Sequence, residues 1–250
     1  HYNYGYKLLL SGLLNKVFLN VYHVIIGKNY SIQTIGYYER SSSFNAFSSD
    51  ALTGIIKKVT FPLISSVKDD KVRTAKIYKK LLTSTFFVSV PIMMGLAAIA
   101  KPLFLLVLGV EWLPAVIFFQ ILCLASAFYP THSLNLNVLK IYGRTDVFLK
   151  LEIYKKILVT VCILFALPFG VFGLVWSSVV ASLLSLLINA SYSGELINYN
   201  SKSQILDMLP VVSVALITFI LMCGCVSLLD EFSLLVQIAA SVVVGVIAYI

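Results

Sequence analysis

Charge is the scarcest ingredient of this 250-residue chain. Only 12% of its residues are Asp, Glu, Lys or Arg, about half of the ~25% usual in soluble domains. A soluble fold of this length buries a large core but still needs a charged surface, and 59% apolar residues leaves too little to cover one. The composition therefore reads as an integral membrane protein that crosses the bilayer several times. Acidic residues are rarer than basic ones, 11 against 19, for a formal net charge of +8. The excess does not indicate nucleic acid, because the cations gather between apolar runs instead of along one polar face. Catalytic signatures are missing too: there is no HExxH, no GxSxG, no P-loop and no pair of carboxylates in a plausible cleft. The chain reads as a non-enzyme without cofactor, and nothing in it suggests an ATP-driven pump. Cysteine is sparse, and Cys123, Cys162, Cys223 and Cys225 all lie inside apolar runs, where thiols behave as small hydrophobes. Cys223-Gly-Cys225 lacks the two-residue spacing and the nearby His of a metal site. The chain opens on His1, shows no signal peptide and stops at Ile250 inside an apolar run, so a fragment of a longer protein is expected.

What the sequence has instead is apolar runs near 20 residues, long enough for a hydrocarbon core of about 30 Å. Eight are expected: 6–26, 44–66, 81–100, 113–133 (continuing as helix to about 139), 153–169, 171–192, 209–229 and 232–250. Residues 27–43 and 101–112 are expected as connections, and the 168–170 Pro-Phe-Gly as an uncharged turn. The runs are long and lack strict alternation, so the fold class is all-α, a polytopic membrane protein.

Between the second and third runs, residues 67–80 carry Lys68, Lys71, Arg73, Lys76, Lys79 and Lys80 against Asp69 and Asp70. A second basic stretch, 140–156, carries Lys140, Arg144, Lys150, Lys155 and Lys156. With these on one side of the membrane, that side collects thirteen of the 19 cations and the other only Lys28, Arg40 and Lys101. Such a bias assigns both basic stretches to the cytoplasm and reads their charges as topological.

Three cations fall inside runs, where each costs on the order of 2.5–3.5 kcal/mol to insert and so normally faces a polar cavity. In the first run Gly12, Lys16, Asn20, His23 and Gly27 share one helical face, and in the second Asp50, Gly54, Lys57, Phe61 and Ser65 do, with Lys58 beside them. Two readings are open. The stripes line a water-filled cationic cavity that holds an anion such as phosphate or an acidic sugar, with Lys16, Asn20, His23, Asp50, Lys57 and Lys58 as its candidate contacts. Alternatively, the lysines snorkel to an interface or pair with Asp50 structurally. His132, Asn135 and Asn137 form a further polar group that suits capping or helix packing as well as substrate contact.

Several short motifs recur in a recognisable order. They are Tyr4-Gly-Tyr-Lys-Leu-Leu-Leu-Ser-Gly-Leu-Leu14, Ile25-Ile-Gly-Lys28, Ile35-Gly-Tyr-Tyr38, Val59-Thr-Phe-Pro62, Ser65-Ser-Val-Lys-Asp-Asp70, Gly109-Val-Glu-Trp112, Leu134-Asn-Leu-Asn-Val-Leu139, Leu149-Lys-Leu-Glu-Ile-Tyr-Lys-Lys156 and Pro168-Phe-Gly-Val-Phe-Gly173. Over about residues 4–210 the chain resembles the lipopolysaccharide and exopolysaccharide flippases, the polysaccharide transporter branch of the multidrug/oligosaccharidyl-lipid/polysaccharide exporter superfamily. Lys68 departs from a pattern that often carries Gln there. The resemblance implies the second six-helix lobe of a two-lobe transporter over residues 1–193 and two additional helices over 194–250, with the first lobe missing upstream. It implies alternating-access flipping of an undecaprenyl-diphosphate-linked oligosaccharide across the bacterial inner membrane for cell-surface polysaccharide synthesis, beside membrane lipid and polysaccharide polymerase machinery. A drug/cation antiporter of the same superfamily, for which Asp50 is the one real candidate residue, and a membrane-embedded glycan polymerase or acyltransferase are the alternatives.

Overall fold

The computed structural model describes residues 20–249 together with residues 6, 9–13 and 18. Among the described residues the fold is helical throughout, as the composition requires: in hydrocarbon each backbone N–H and C=O needs a partner within its own segment. The helices are α1 (Val21–Asn29), α2 (Ile32–Ser65), α3 (Lys71–Ala98), α4 (Ala100–Val107), α5 (Leu113–Ser126), α6 (Tyr129–Ile141), α7 (Thr145–Ala166), α8 (Gly170–Ile197), α9 (Ser201–Leu228) and α10 (Leu234–Tyr249).

Short polar side chains set three of the helix starts by accepting an otherwise unpaired backbone N–H. Ser31 accepts from Thr34 N (3.2 Å), Asp70 from Arg73 N (3.0 Å) and Asn200 from Ser203 N (2.8 Å). Four expected connections are corrected, the first two by these caps. The 27–43 connection is almost wholly helical and shrinks to Tyr30 and Ser31, because the Ser31 cap starts α2 twelve residues before the apolar run at Phe44. The 67–80 stretch is a turn only to Asp70, after which its cations ride on the first turns of α3. The 140–156 stretch is a tight turn at Tyr142–Arg144, with Lys150, Lys155 and Lys156 on α7. Residues 101–112 are likewise structured, as most of α4 and a 3-10 turn at Val110–Trp112.

Four helical runs are long and apolar enough to cross a membrane: Lys71–Ala98, Val110–Ile141, Thr145–Ile197 and Ser201–Leu228. The third is a hairpin, because α7 and α8 pack on each other across a turn at Gly170, whose φ of 71° favours a residue without a Cβ. Its arms of 22 and 28 residues each exceed the ~20 residues that a bilayer core demands. Helix α2 is long enough but too polar to qualify, α10 is a shorter apolar helix of 16 residues, and much of the expected first run lies outside the described residues.

The principal core joins Tyr78, Leu82, Phe86 and Met93 of α3 to Phe104, Phe119 and Leu134. A second core joins Ile26 and Tyr38 to Phe118, Leu122, Ile163 and Leu174. Helix α2 meets α5 and α6 through small and polar residues, the usual contact where helices approach in lipid. There Ser41 donates to the Ala115 carbonyl (2.7 Å), Asn45 to Ser126 Oγ (2.8 Å) and Asn137 to Thr60 Oγ1 (3.0 Å). Helix α9 packs chiefly on α3 and α10.

Candidate functional site

A cleft of about 390 Å³ opens among α2, α6, α7 and α8, with Tyr22 of α1 at its edge. Each wall is one helical face. Helix α6 contributes Tyr129, His132, Ser133, Leu136, Asn137 and Lys140; α7 contributes Phe148, Glu152, Lys155, Lys156 and Val159; α8 contributes Ser178, Ala181, Ser182 and Ser185. These follow the three-and-four spacing that brings side chains to one side of a helix. The turn between α6 and α7 sets the two charged walls side by side. It needs Gly143, at φ 69°, with Arg144 N bonding back to Leu139 O (2.8 Å).

The electrostatics are strongly one-sided. Lys57, Lys140, Lys155 and Lys156 line the cleft against a single carboxylate, Glu152. Lys155 donates to Glu152, which is buried. The Lys140 ammonium lies 5.0 Å from the centre of the Phe148 ring and that of Lys156 5.4 Å from the centre of Phe18, both within range of attraction to a ring face. Deeper in, a polar chain fixes the wall: the Asn189 amide donates to His132 Nδ1 (3.3 Å), which leaves Nε2–H to donate to Ser182 Oγ (3.2 Å), and Ser182 donates to the Ala125 carbonyl (2.7 Å). Tyr22 and Ser177 hydroxyls bond at 3.1 Å. Ser133 Oγ is buried in the wall without a hydrogen-bond partner. A cleft with clustered ammonium groups, hydroxyls and rings suits an anionic, oxygen-rich ligand.

The structure brings only part of the expected site together. Lys57 lines the cleft. Lys16 lies outside the described residues. Asn20 is exposed just before α1, without a side-chain capping bond. His23 lies off the cleft, 3.5 Å from a Glu39 carboxylate oxygen and edge-on to the Tyr38 ring at 5.0 Å. Asp50 and Lys58 are exposed and do not line the cleft. The stripe of Asp50, Gly54, Lys57, Phe61 and Ser65 does form one face of α2, but that face turns away from the core, and Ser41, Asn45, Ser49 and Thr60 are the buried side. Lys140, Lys155, Lys156 and Glu152 were not expected here. Their signal was present in the spacing Phe148, Glu152, Lys155, Lys156, Val159, and it was hidden by reading the basic stretch as a loop. Among the described residues no group of three or more His, Cys, Asp or Glu comes together as a metal site.

Comparison with known proteins bears on this arrangement. Residues 1–117 match a family described as polysaccharide biosynthesis protein. An uncharacterized membrane protein in the cps region of Klebsiella pneumoniae is 25% identical over 185 residues, 74% of this chain and 37% of that protein. The teichuronic acid biosynthesis protein TuaB of Bacillus subtilis is 23% identical over 58% of this chain and 30% of its own length. The lipopolysaccharide biosynthesis protein WzxC of Escherichia coli is 21% identical over 62% of this chain and 32% of its own. The matched family and two of these relatives are named for polysaccharide, teichuronic acid or lipopolysaccharide biosynthesis. The matched stretch spans about a third of each of these relatives. Within the family match lie α1 to α4 and Lys57; Lys140, Lys155 and Lys156 follow it. No solved structure matches the chain.

Proposed function

We propose that this chain is part of a transporter that flips an undecaprenyl-diphosphate-linked oligosaccharide across the bacterial inner membrane for cell-surface polysaccharide synthesis. The observation that carries the proposal is the cleft itself: four lysines gathered among otherwise apolar helices, where an unpaired cation is costly unless an anion meets it. The polysaccharide-biosynthesis names of the relatives point to the same class of cargo. In this reading Lys57, Lys140 and Lys156 hold the diphosphate or acidic sugars, the Tyr22, Tyr129 and Phe148 rings support the saccharide, and the lipid tail stays in the bilayer. The chain acts as a carrier and not as an enzyme.

Residues 1–193 form one lobe and residues 194–250 an additional helix pair, eight spans in all, and alternating access comes from rocking against a second lobe. The exposed Asp50 and Lys58, with Asn20 and His23, belong to the side turned toward that second lobe. The basic stretches 67–80 and 140–156 face the cytoplasm, and polysaccharide polymerase machinery takes up the cargo on the far side. A drug/cation antiporter is a poorer reading, because four lysines repel a cationic substrate and Asp50 lies outside the cleft.

The double replacement Lys57→Gln with Lys140→Gln tests the assignment. Each lost charge-assisted contact is worth roughly 1.5–3 kcal/mol, so polymer export in cells should fall by more than about tenfold while the protein still accumulates in the membrane. Export at the normal level from that variant overturns the assignment.

A further inference from the structure

Glu152 is the odd member of the cleft. It is 2% exposed, and its carboxylate is bonded by Lys155, whose side chain is 13% exposed. Burying a carboxylate costs several kcal/mol even after relaxation, so a purpose is needed. The pair does not supply one as a structural clamp. Its partners are three residues apart on the same helix, α7, so it ties no two helices together. Both side chains line the cleft wall. Lys140 and Lys156 are also within electrostatic reach of the same carboxylate. Elsewhere in the same wall, Ser133 Oγ is buried without a partner.

We infer that Glu152 is a tethered counter-anion: it occupies the cationic cleft when no ligand is bound, and an incoming anion displaces it from Lys155. The inference rests on the anion-binding reading above and adds a specificity rule to it. A ligand with one carboxylate offers Lys155 nothing that Glu152 does not already give. A diphosphate brings more charge and more acceptor oxygens, enough to engage Lys57, Lys140 and Lys156 together and to draw Lys155 across. The resident carboxylate thus favours diphosphate-type polyanions over monoanions. It also keeps binding from becoming so tight that the ligand cannot leave.

The test uses the intact protein in nanodiscs, with inorganic pyrophosphate and glucuronate as probes. Glu152→Gln should raise pyrophosphate affinity about tenfold, or about 1.4 kcal/mol. Glucuronate, which offers too little to displace Glu152, should bind the wild-type protein hardly at all and the variant measurably. An affinity that is unchanged or lower overturns the inference and makes Glu152 a holder of Lys155. A wild-type measurement guards against a variant that fails to fold. A carbodiimide should form the zero-length Glu152–Lys155 cross-link in the empty protein, and saturating pyrophosphate should suppress it. A cross-link yield indifferent to pyrophosphate that does bind overturns the inference alone. If the wild-type protein binds no pyrophosphate, the anion-binding reading falls as well.

Discussion

A single glycine decides whether the two charged walls meet. Gly143 sits at φ 69° between α6 and α7, a left-handed conformation that costs a residue with a Cβ roughly 1–2 kcal/mol. No neighbouring atom would obstruct an added methyl group there, so the backbone conformation is the whole penalty. Gly143→Ala should therefore lower the unfolding free energy of the detergent-solubilised protein by about 1–2 kcal/mol; thermal unfolding of the two proteins measures it, and an unchanged midpoint contradicts the turn geometry. The His132 chain works at the same scale. With Asn189 donating to Nδ1 and Ser182 accepting from Nε2, both ring nitrogens are used, so the imidazole is fixed in the wall.

Helices explain where the buried polar groups go. Gln204, fully buried near the start of α9, donates to the Ala190 carbonyl (3.1 Å) and the Tyr199 carbonyl (3.0 Å) and accepts from the Tyr78 hydroxyl (3.2 Å), joining α9 to α8 and α3. Gly194 leaves room for this crossing, since a Cβ there would lie 2.4 Å from the Tyr199 carbonyl oxygen. Gln204→Ala should cost about 1–3 kcal/mol, because it strands buried partners; a thermal midpoint equal to wild type would show that α9 is held by apolar packing alone. Much of the element level was legible in the sequence. The apolar runs became α3, α5 with α6, and α7 to α9, and the Pro168-Phe-Gly170 turn joins α7 to α8. Illegible were helices without an apolar run. The first twelve residues of α2 are mostly polar, and the starts of α3 and α7 are basic, so a search keyed on hydrocarbon length treats all three as loops. The site suffered most from this. Lys57 was found through its helical stripe, whereas Lys140, Lys155 and Lys156 share the same kind of spacing but were counted as topological charge.

On the scale of the whole molecule, the described chain is a helical frame with apolar exterior faces and one cationic recess. The C-terminal helices are firmly attached to that frame. Helix α9 lies along α3, Lys79 pairs with Asp207 at 2.8 Å, and Lys101 pairs with Asp230 at 3.0 Å. Tyr199, between α8 and α9, donates to Asp207; its burial first, and then that carboxylate, hold the phenol well above its usual range, so it remains a donor at physiological pH. The exterior accounts for the low charge of the sequence, and the recess accounts for the cations that topology alone does not need. The most direct measurement of the central claim is photo-cross-linking in native membranes with an undecaprenyl-diphosphate sugar carrying a photoreactive group beside the diphosphate. Cross-links should map to the cleft walls, residues 129–156 of α6 and α7 and Lys57 of α2, and should fade with excess inorganic pyrophosphate. Cross-links confined to the exposed apolar faces of α8 to α10, untouched by pyrophosphate, would contradict a cationic cleft as the cargo site.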